Sequence, residues 1–213
     1  MKQVLVLATR NQGKTREMRE LLADYPVEIR NLDDFGPIPE VEEDGDTFEE
    51  NAYKKASHTA RVLGFPALAD DSGLSVEALD GRPGVHSARY GGEGLSDADR
   101  CEKLLEEMDN VEDRRAAFVC FLSLAVPSGQ ALTYEARCEG EITREMRGEG
   151  GFGYDPVFFS PDKGRTFAEL SSAEKSEVSH RGKALRELGG EFDKVLKWIE
   201  MHRPVFVKTP CQE

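Results

Sequence analysis

Val4-Leu5-Val6-Leu7-Ala8, then Thr9-Arg10-Asn11-Gln12-Gly13-Lys14, then Met18, Leu21 and Leu22: this stretch decides the fold. Five apolar residues in a row read as a buried strand. The segment from Gly13 to Leu22 reads as the helix after it, with Leu21 and Leu22 facing the core and Met18 one turn earlier. Val27 to Leu32 is expected to return as a second strand. The loop from Thr9 to Lys14 then lies at the first strand's carboxyl end, where ligands of open α/β sheets bind. Helix N-terminal N–H groups and the Lys14 ammonium suit an anion there.

Tested against the phosphate-binding pattern G-x-x-x-x-G-K-[ST], the loop fails at its first position, where Ala8 replaces glycine. Ala69-Asp70-Asp71 imitates the metal-binding strand of such proteins. A P-loop-like ATPase or kinase is therefore a competing reading, weakened because the missing glycine sits where the loop must turn sharply.

Around this unit lie 213 residues, 38% hydrophobic and 32% charged, enough for one substantial core. A net charge of −13 argues against a protein that lives on nucleic acid, and weakly favours a divalent cation as intermediary. No apolar run reaches the roughly 20 residues of a membrane span. Val4 to Ala8 is too short for a signal-peptide core, so a cytoplasmic protein is expected. Cys101, Cys120, Cys138 and Cys211 are widely spaced, which argues against disulfide or zinc frameworks.

Further along, Asp33 to Asp46 is an acidic loop. Thr47-Phe48-Glu49-Glu50 reads as a capping box opening a helix to Leu63. Ala67 to Ala69 is expected as a short strand ending in Asp70-Asp71-Ser72-Gly73, with extended structure resuming at Leu74. Ser96 opens a helix through Met108. Arg115 to Val126 and Ala131 to Cys138 form a hairpin, so the sheet is expected to be mixed. Ser171 caps a short helix, and Gly182 to Met201 reads as one long helix. Residues 203–213 form a C-terminal tail. No linker separates independent domains, so residues 1–213 are read as one domain.

Two patterns carry chemistry. Asp70 and Asp71 follow a buried strand, and alternation sends one of them into the cleft, able to ligate magnesium and orient water. Glu40, Glu42, Glu43 and Asp44 form a second acidic cluster, of which one member is expected to reach a metal. Gly150-Gly151-Phe152-Gly153-Tyr154-Asp155-Pro156 combines turning glycines, aromatic faces and a carboxylate, as a loop that holds a flat polar ring would. His58, His202 and Lys54-Lys55 read as ordinary structural or solvated side chains, though Lys55 is placed to point toward phosphates.

Taken together, these segments resemble the inosine triphosphate pyrophosphatase family, also called Ham1-like. The resemblance rests on Thr9 through Lys14, Thr47 through Ala52, Ala69 through Leu74, Pro83 through Tyr90, Gly150 through Pro156, and Glu174-Lys175 with Ser179-His180-Arg181. It implies an elongated α/β protein of two lobes around a long mixed sheet with a central substrate cleft. It implies hydrolysis of ITP, dITP and XTP to the monophosphate and pyrophosphate, with magnesium, by a homodimer. Carried over residue by residue, Thr9, Arg10, Asn11, Gln12, Gly13 and Lys14 would hold the triphosphate. Asp71 would be proton acceptor and metal ligand, and Ser72 would touch substrate; apart from the resemblance, Glu42 of the acidic cluster is taken as the second metal ligand. Phe152, Gly153, Tyr154, Asp155, Lys175, His180 and Arg181 would form the nucleotide-binding wall; on donor–acceptor chemistry, Arg181 and backbone N–H groups are expected to pair with a 6-oxo group and oppose adenine's amino group. Arg10 departs from the family, where many members have glycine, and the segment beyond Met201 has no counterpart. A nucleotide-binding regulator without catalysis is a third reading, disfavoured by the acids beside the triphosphate loop.

Overall fold

The computed structural model describes residues 2–39 and 41–203. Glu40 and residues 204–213, nearly all of the expected tail, lie outside the described residues. Strand β1 (Gln3–Leu7) leads into helix α1 (Gln12–Leu21), and β2 (Val27–Asn31) returns parallel to β1. Asn11 caps α1, its side-chain oxygen accepting the Lys14 N–H at 3.1 Å. Met18 and Leu22 are fully buried, whereas Leu21 is half-buried.

Helix α2 (Phe48–Leu63) starts where Thr47 accepts the Glu50 N–H, but the reciprocal arm of the capping box is shifted. The Glu50 carboxylate takes the N–H of Asp46, one residue earlier than the pattern predicts. The helix ends at Gly64, whose φ of 73° is the left-handed geometry glycine tolerates.

Strands β3 (Ala67–Val76), β4 (Arg115–Ala125) and β5 (Ala131–Ile142) form the long centre of the sheet. Short β6 (Phe158–Ser160) and β7 (Arg165–Thr166) complete the order β2-β1-β3-β4-β5-β6-β7. The first three neighbours are parallel and the rest antiparallel, so the sheet is mixed as the hairpin required. One expectation fails here. β3 does not stop at Ala69 but runs unbroken through Asp70-Asp71-Ser72-Gly73. These are poor strand formers, yet pairing with β4 from Ala67–Ala125 to Val76–Ala116 holds them extended.

Alternation along β3 sorts the core. Leu68, Leu122 and Leu124 pack with Met18, Leu185, Leu188 and Phe192 on one face. Farther along that face, Leu74, Val76, Ala116 and Phe118 pack with Phe158, Phe167, Leu104 and Met108. Asp70 and Ser72 occupy the interval between these two clusters, so a polar gap divides one sheet face into two lobes. On the opposite face, Ala67, Ala69 and Ala125 meet Ala56 and Ala60 of α2, small side chains that let the helix lie close.

Helix α3 (Asp97–Glu107) belongs to the second cluster. Helices α4 (Ser172–Val178), α5 (His180–Gly190) and α6 (Phe192–Met201) follow β7. The single long helix expected to Met201 is thus broken at Glu191. Just before the break, a Cβ on Gly189 would sit 2.0 Å from the Tyr25 hydroxyl, so this turn of α5 has room only for glycine. Tyr25 in turn packs on Phe192 at 4.4 Å between ring centroids. No described helix is long and apolar enough to cross a membrane. Cys101, Cys120 and Cys138 are buried and unpaired, and Cys211 lies outside the described residues.

Candidate active site

The site grows from a gap in strand pairing. β1 meets β3 only at Val6–Ala67 and Leu7–Leu68, so beyond Leu68 one edge of β3 is no longer covered by β1. The far end of that edge is closed again by a 3-10 turn, Gly84–Arg89. There the Ser87 hydroxyl accepts the Leu74 N–H at 2.9 Å, and Arg82 O accepts the Val76 N–H at 3.2 Å. Backbone amides of alternate residues point to the same edge. The Ser72 N–H therefore faces the open interval, and side chains from both sheet faces reach it.

A cleft of about 670 Å³ occupies this interval. It is lined by Thr9, Arg10, Asn11, Lys14, Asp71, Ser72, Phe152, Gly153, Tyr154, Asp155, Lys175, His180 and Arg181, so most of the expected site residues converge. Gln12 does not line it; its amide donates to Asp33 at 3.2 Å. Gly13 stands behind the wall, where an added Cβ would lie 2.7 Å from the Phe152 ring. That contact joins the first loop to the aromatic loop.

The acidic loop requires a correction. Glu42 is exposed and does not line the cleft, whereas its neighbour Glu43 does. Glu43 and Asp71 each place a carboxylate oxygen on the Lys55 ammonium, at 2.8 and 2.7 Å. Two carboxylates therefore converge on one cation position. That matches the one or two carboxylates magnesium takes from a protein while phosphates and water complete its shell. No group of three or more potential ligands exists among the described residues. Burial raises the Asp71 pKa from its ordinary value, and the attraction of Lys55 does not cancel this. Burial alone would lower the Lys55 pKa, but Asp71, Asp70 and Glu43 hold it above its usual value.

On the other sheet face, Asp70 is buried and takes three cationic contacts. Lys14 Nζ lies 3.0 Å away, and Arg181 donates from Nη2 at 2.9 Å and Nε at 3.2 Å. Burial opposes this charge, but Lys14 and Arg181 drive the Asp70 pKa far below the carboxylate range. Arg181 also donates from Nη1 to Glu17, and the other oxygen of Glu17 meets Lys175 at 2.9 Å. Glu17 thus ties α1 to both cations of the far wall. Arg181 uses three of its five N–H groups internally and retains two.

The aromatic loop is pinned from three sides. Asp155 accepts the Phe152 N–H at 2.9 Å and the Lys175 ammonium at 2.7 Å. Asp97, in the first turn of α3, accepts the Gly153 N–H at 2.7 Å. The Tyr154 hydroxyl donates to Ser87 O at 2.8 Å. The Lys175 ammonium lies 4.5 Å from the Phe152 ring centroid, a cation–π distance. His180 stacks on Phe118 with centroids 4.7 Å apart, and burial holds its pKa well below the usual histidine value. It is therefore a neutral ring, and its Nδ1 has no partner among the described residues.

The P-loop reading finds no support. Asp70 and Asp71 lie inside a strand paired antiparallel to β4, not at the end of a parallel one, and the Lys14 N–H is already bound by Asn11. Sequence reasoning passed over Glu17 and Asp97, whose partners are distant in the chain. For Glu43 the acidic cluster was the signal, but the register within it was not.

Comparison with known proteins places the sequence and the fold. Residues 5–190 match the model of the Ham1 family. A dITP/XTP pyrophosphatase of Syntrophobacter fumaroxidans is 66% identical over 196 residues, covering 92% of this chain and 84% of that protein. One of Desulfotalea psychrophila is 59% identical over 197 residues, covering 92% and 88%. A solved HAM1 protein from Coxiella burnetii superposes with a TM-score of 0.83 at 44% identity, covering 90% of this chain and 99% of that one. A family match over most of the chain, on a sheet with the same architecture, places the protein: it belongs to the Ham1 family.

Proposed function

We propose that the chain hydrolyses dITP, ITP and XTP to the nucleoside monophosphate and pyrophosphate, removing them from the nucleotide pool. The observation that carries this reading is that Asp71 and Phe152 line one cleft, with the Phe152 ring against the Gly13 backbone of the anion-binding loop. Cleaving the α–β anhydride needs an aligned water, a proton acceptor, and positive charge on the leaving group. Asp71 takes the proton from water; its raised pKa makes it a stronger base than an ordinary aspartate. Lys55 holds it in place. Lys14 and Arg10 face the departing pyrophosphate, and the Ser72 N–H is free for a phosphate oxygen. Asp71 and Glu43 would hold magnesium, which supplies charge neutralisation to the phosphates when bound.

The base would stack on Phe152 within reach of Lys175, His180 and the two spare N–H groups of Arg181. Such donors complement a 6-oxo acceptor and oppose the amino group of adenine, a mismatch that can cost orders of magnitude in kcat/KM. We also read the protein as a cytoplasmic homodimer. The unpaired thiols suit a reducing compartment, and light scattering at micromolar concentration checks the dimer.

Incubation with dITP, XTP, ITP, GTP or ATP and magnesium, with separate assays for pyrophosphate and orthophosphate, tests the reading. Pyrophosphate from the first three substrates, far faster than from ATP, is the expected result. Orthophosphate from ATP would reverse it.

A further inference from the structure

The cleft holds seven lysine and arginine side chains, and six are already answered. Lys14, Lys55, Arg100, Lys175 and Arg181 each lie within 3.0 Å of a carboxylate oxygen, and Arg10 reaches Asp33 at 3.5 Å. Arg89 is different: among the described residues, no carboxylate comes within 4.0 Å of it. Its partner is an imidazole nitrogen rather than a carboxylate. The His86 Nδ1 accepts from Arg89 Nε at 3.2 Å and from Nη2 at 3.0 Å. An arginine can only donate, so this contact uses the acceptor lone pair of Nδ1. The guanidinium is oriented without a carboxylate partner among the described residues, and neither N–H of Nη1 has a partner among them.

The turn that carries Arg89 is itself held firmly. Ser87 donates to Gly84 O at 2.7 Å, accepts the Leu74 N–H, and receives the Tyr154 hydroxyl on its carbonyl. A Cβ on Gly73 would lie 2.5 Å from Gly84 O, so the turn rests directly on β3, two residues past Asp71. The open edge of β3 thus has Lys14 at one end and Arg89 at the other.

We propose that Arg89 is an anion-binding residue of this cleft, holding the polyphosphate tail of the substrate and the pyrophosphate product. This rests on the pyrophosphatase reading above. A guanidinium with two open donors suits two phosphate oxygens at once, and its charge needs no internal ion pair to be broken first.

The test uses dITP kinetics of the whole chain, with inorganic pyrophosphate and dIMP as product inhibitors. Arg89→Gln is expected to raise the KM for dITP and the inhibition constant of pyrophosphate by about tenfold or more, the loss of one charge-assisted contact. Inhibition by dIMP should not move. Arg89→Lys keeps the charge without the fork and should fall between. His86→Phe, which removes the acceptor alone, should weaken pyrophosphate by a smaller factor. Unchanged pyrophosphate inhibition in Arg89→Gln overturns the assignment. If the wild-type protein releases no pyrophosphate from dITP, the pyrophosphatase reading fails separately. Calorimetric binding of pyrophosphate to wild type and Arg89→Gln then decides Arg89 alone, and equal affinities sink it.

Discussion

At the scale of single residues, two adjacent aspartates have opposite fates because a strand alternates. Asp70 is an ion-pair anchor with a depressed pKa, and Asp71 is a buried base with a raised one. Asp71→Asn is expected to lower kcat by about two to four orders of magnitude, the usual contribution of a general base. Nucleotide binding should persist, because Glu43 still partners Lys55; turnover within threefold of wild type, measured as pyrophosphate release, would remove Asp71 from the role. Arg181 needs a gentler substitution than alanine. Removing its side chain leaves Asp70 with Lys14 and Glu17 with Lys175 as their remaining cations, and losing one partner of a buried ion pair costs up to about 3–5 kcal/mol. Arg181→Lys keeps the charge but not the planar fork. It is expected to fold and to lose preference for dITP over dATP, read as the ratio of kcat/KM values. An unchanged ratio would put base reading elsewhere. That Asp71, Lys175 and Arg181 line one cleft was legible in the chain because they fall in compact motifs. Glu17 was not, since its partners Lys175 and Arg181 stand 158 and 164 residues away and nothing local marks it.

At the scale of elements, the strand–loop–helix opening, the hairpin and most helix starts were legible, because apolar runs and capping residues are local signals. β3 was misread because Asp70-Asp71-Ser72-Gly73 has the composition of a turn, and only pairing to β4 holds it straight. The break between α5 and α6 was missed because a glycine pair inside a helical pattern does not by itself say whether the helix continues. α3 supplies a contact that its own sequence does not announce. Asp97 binds the Gly153 N–H with one oxygen and Arg100 with the other, so the helix start steadies the aromatic loop. Asp97→Ala is expected to raise the KM for dITP about five- to thirtyfold, as losing a charge-assisted hydrogen bond of 1–2 kcal/mol would. Inhibition by inorganic pyrophosphate, which does not use the base loop, should hardly change. If both weaken equally, Asp97 acts on the whole cleft rather than on Phe152 and Gly153.

At the scale of the molecule, two apolar clusters share one sheet face across a polar interval, and burying that interval makes stability depend on pH. The sign follows from which state binds protons. Burial keeps His180 neutral in the fold, with Arg181, Lys175 and Lys14 adding to the effect and Asp70 opposing it. Its unfolded pKa is about 6.5. As pH falls below that value the unfolded chain takes up a proton that the native protein refuses, so stability is lost toward acid. Glu17 and Asp70 act in the same direction at lower pH, below about 4, because their folded pKa values are depressed despite burial. Asp155 and Asp71 act oppositely: burial raises them, so the native state gains protons first and part of the acid loss is offset. A variant separates these contributions. His180→Phe preserves the stack on Phe118 but cannot titrate. Relative to this variant, the wild-type protein is expected to lose up to about 1.4 kcal/mol of unfolding free energy per pH unit below pH 6.5. Urea denaturation of both proteins between pH 7.5 and about 5 measures the difference directly. Parallel pH profiles would mean that the buried imidazole accepts its proton in place, and that the polar interval tolerates one more positive charge than its ion pairs imply.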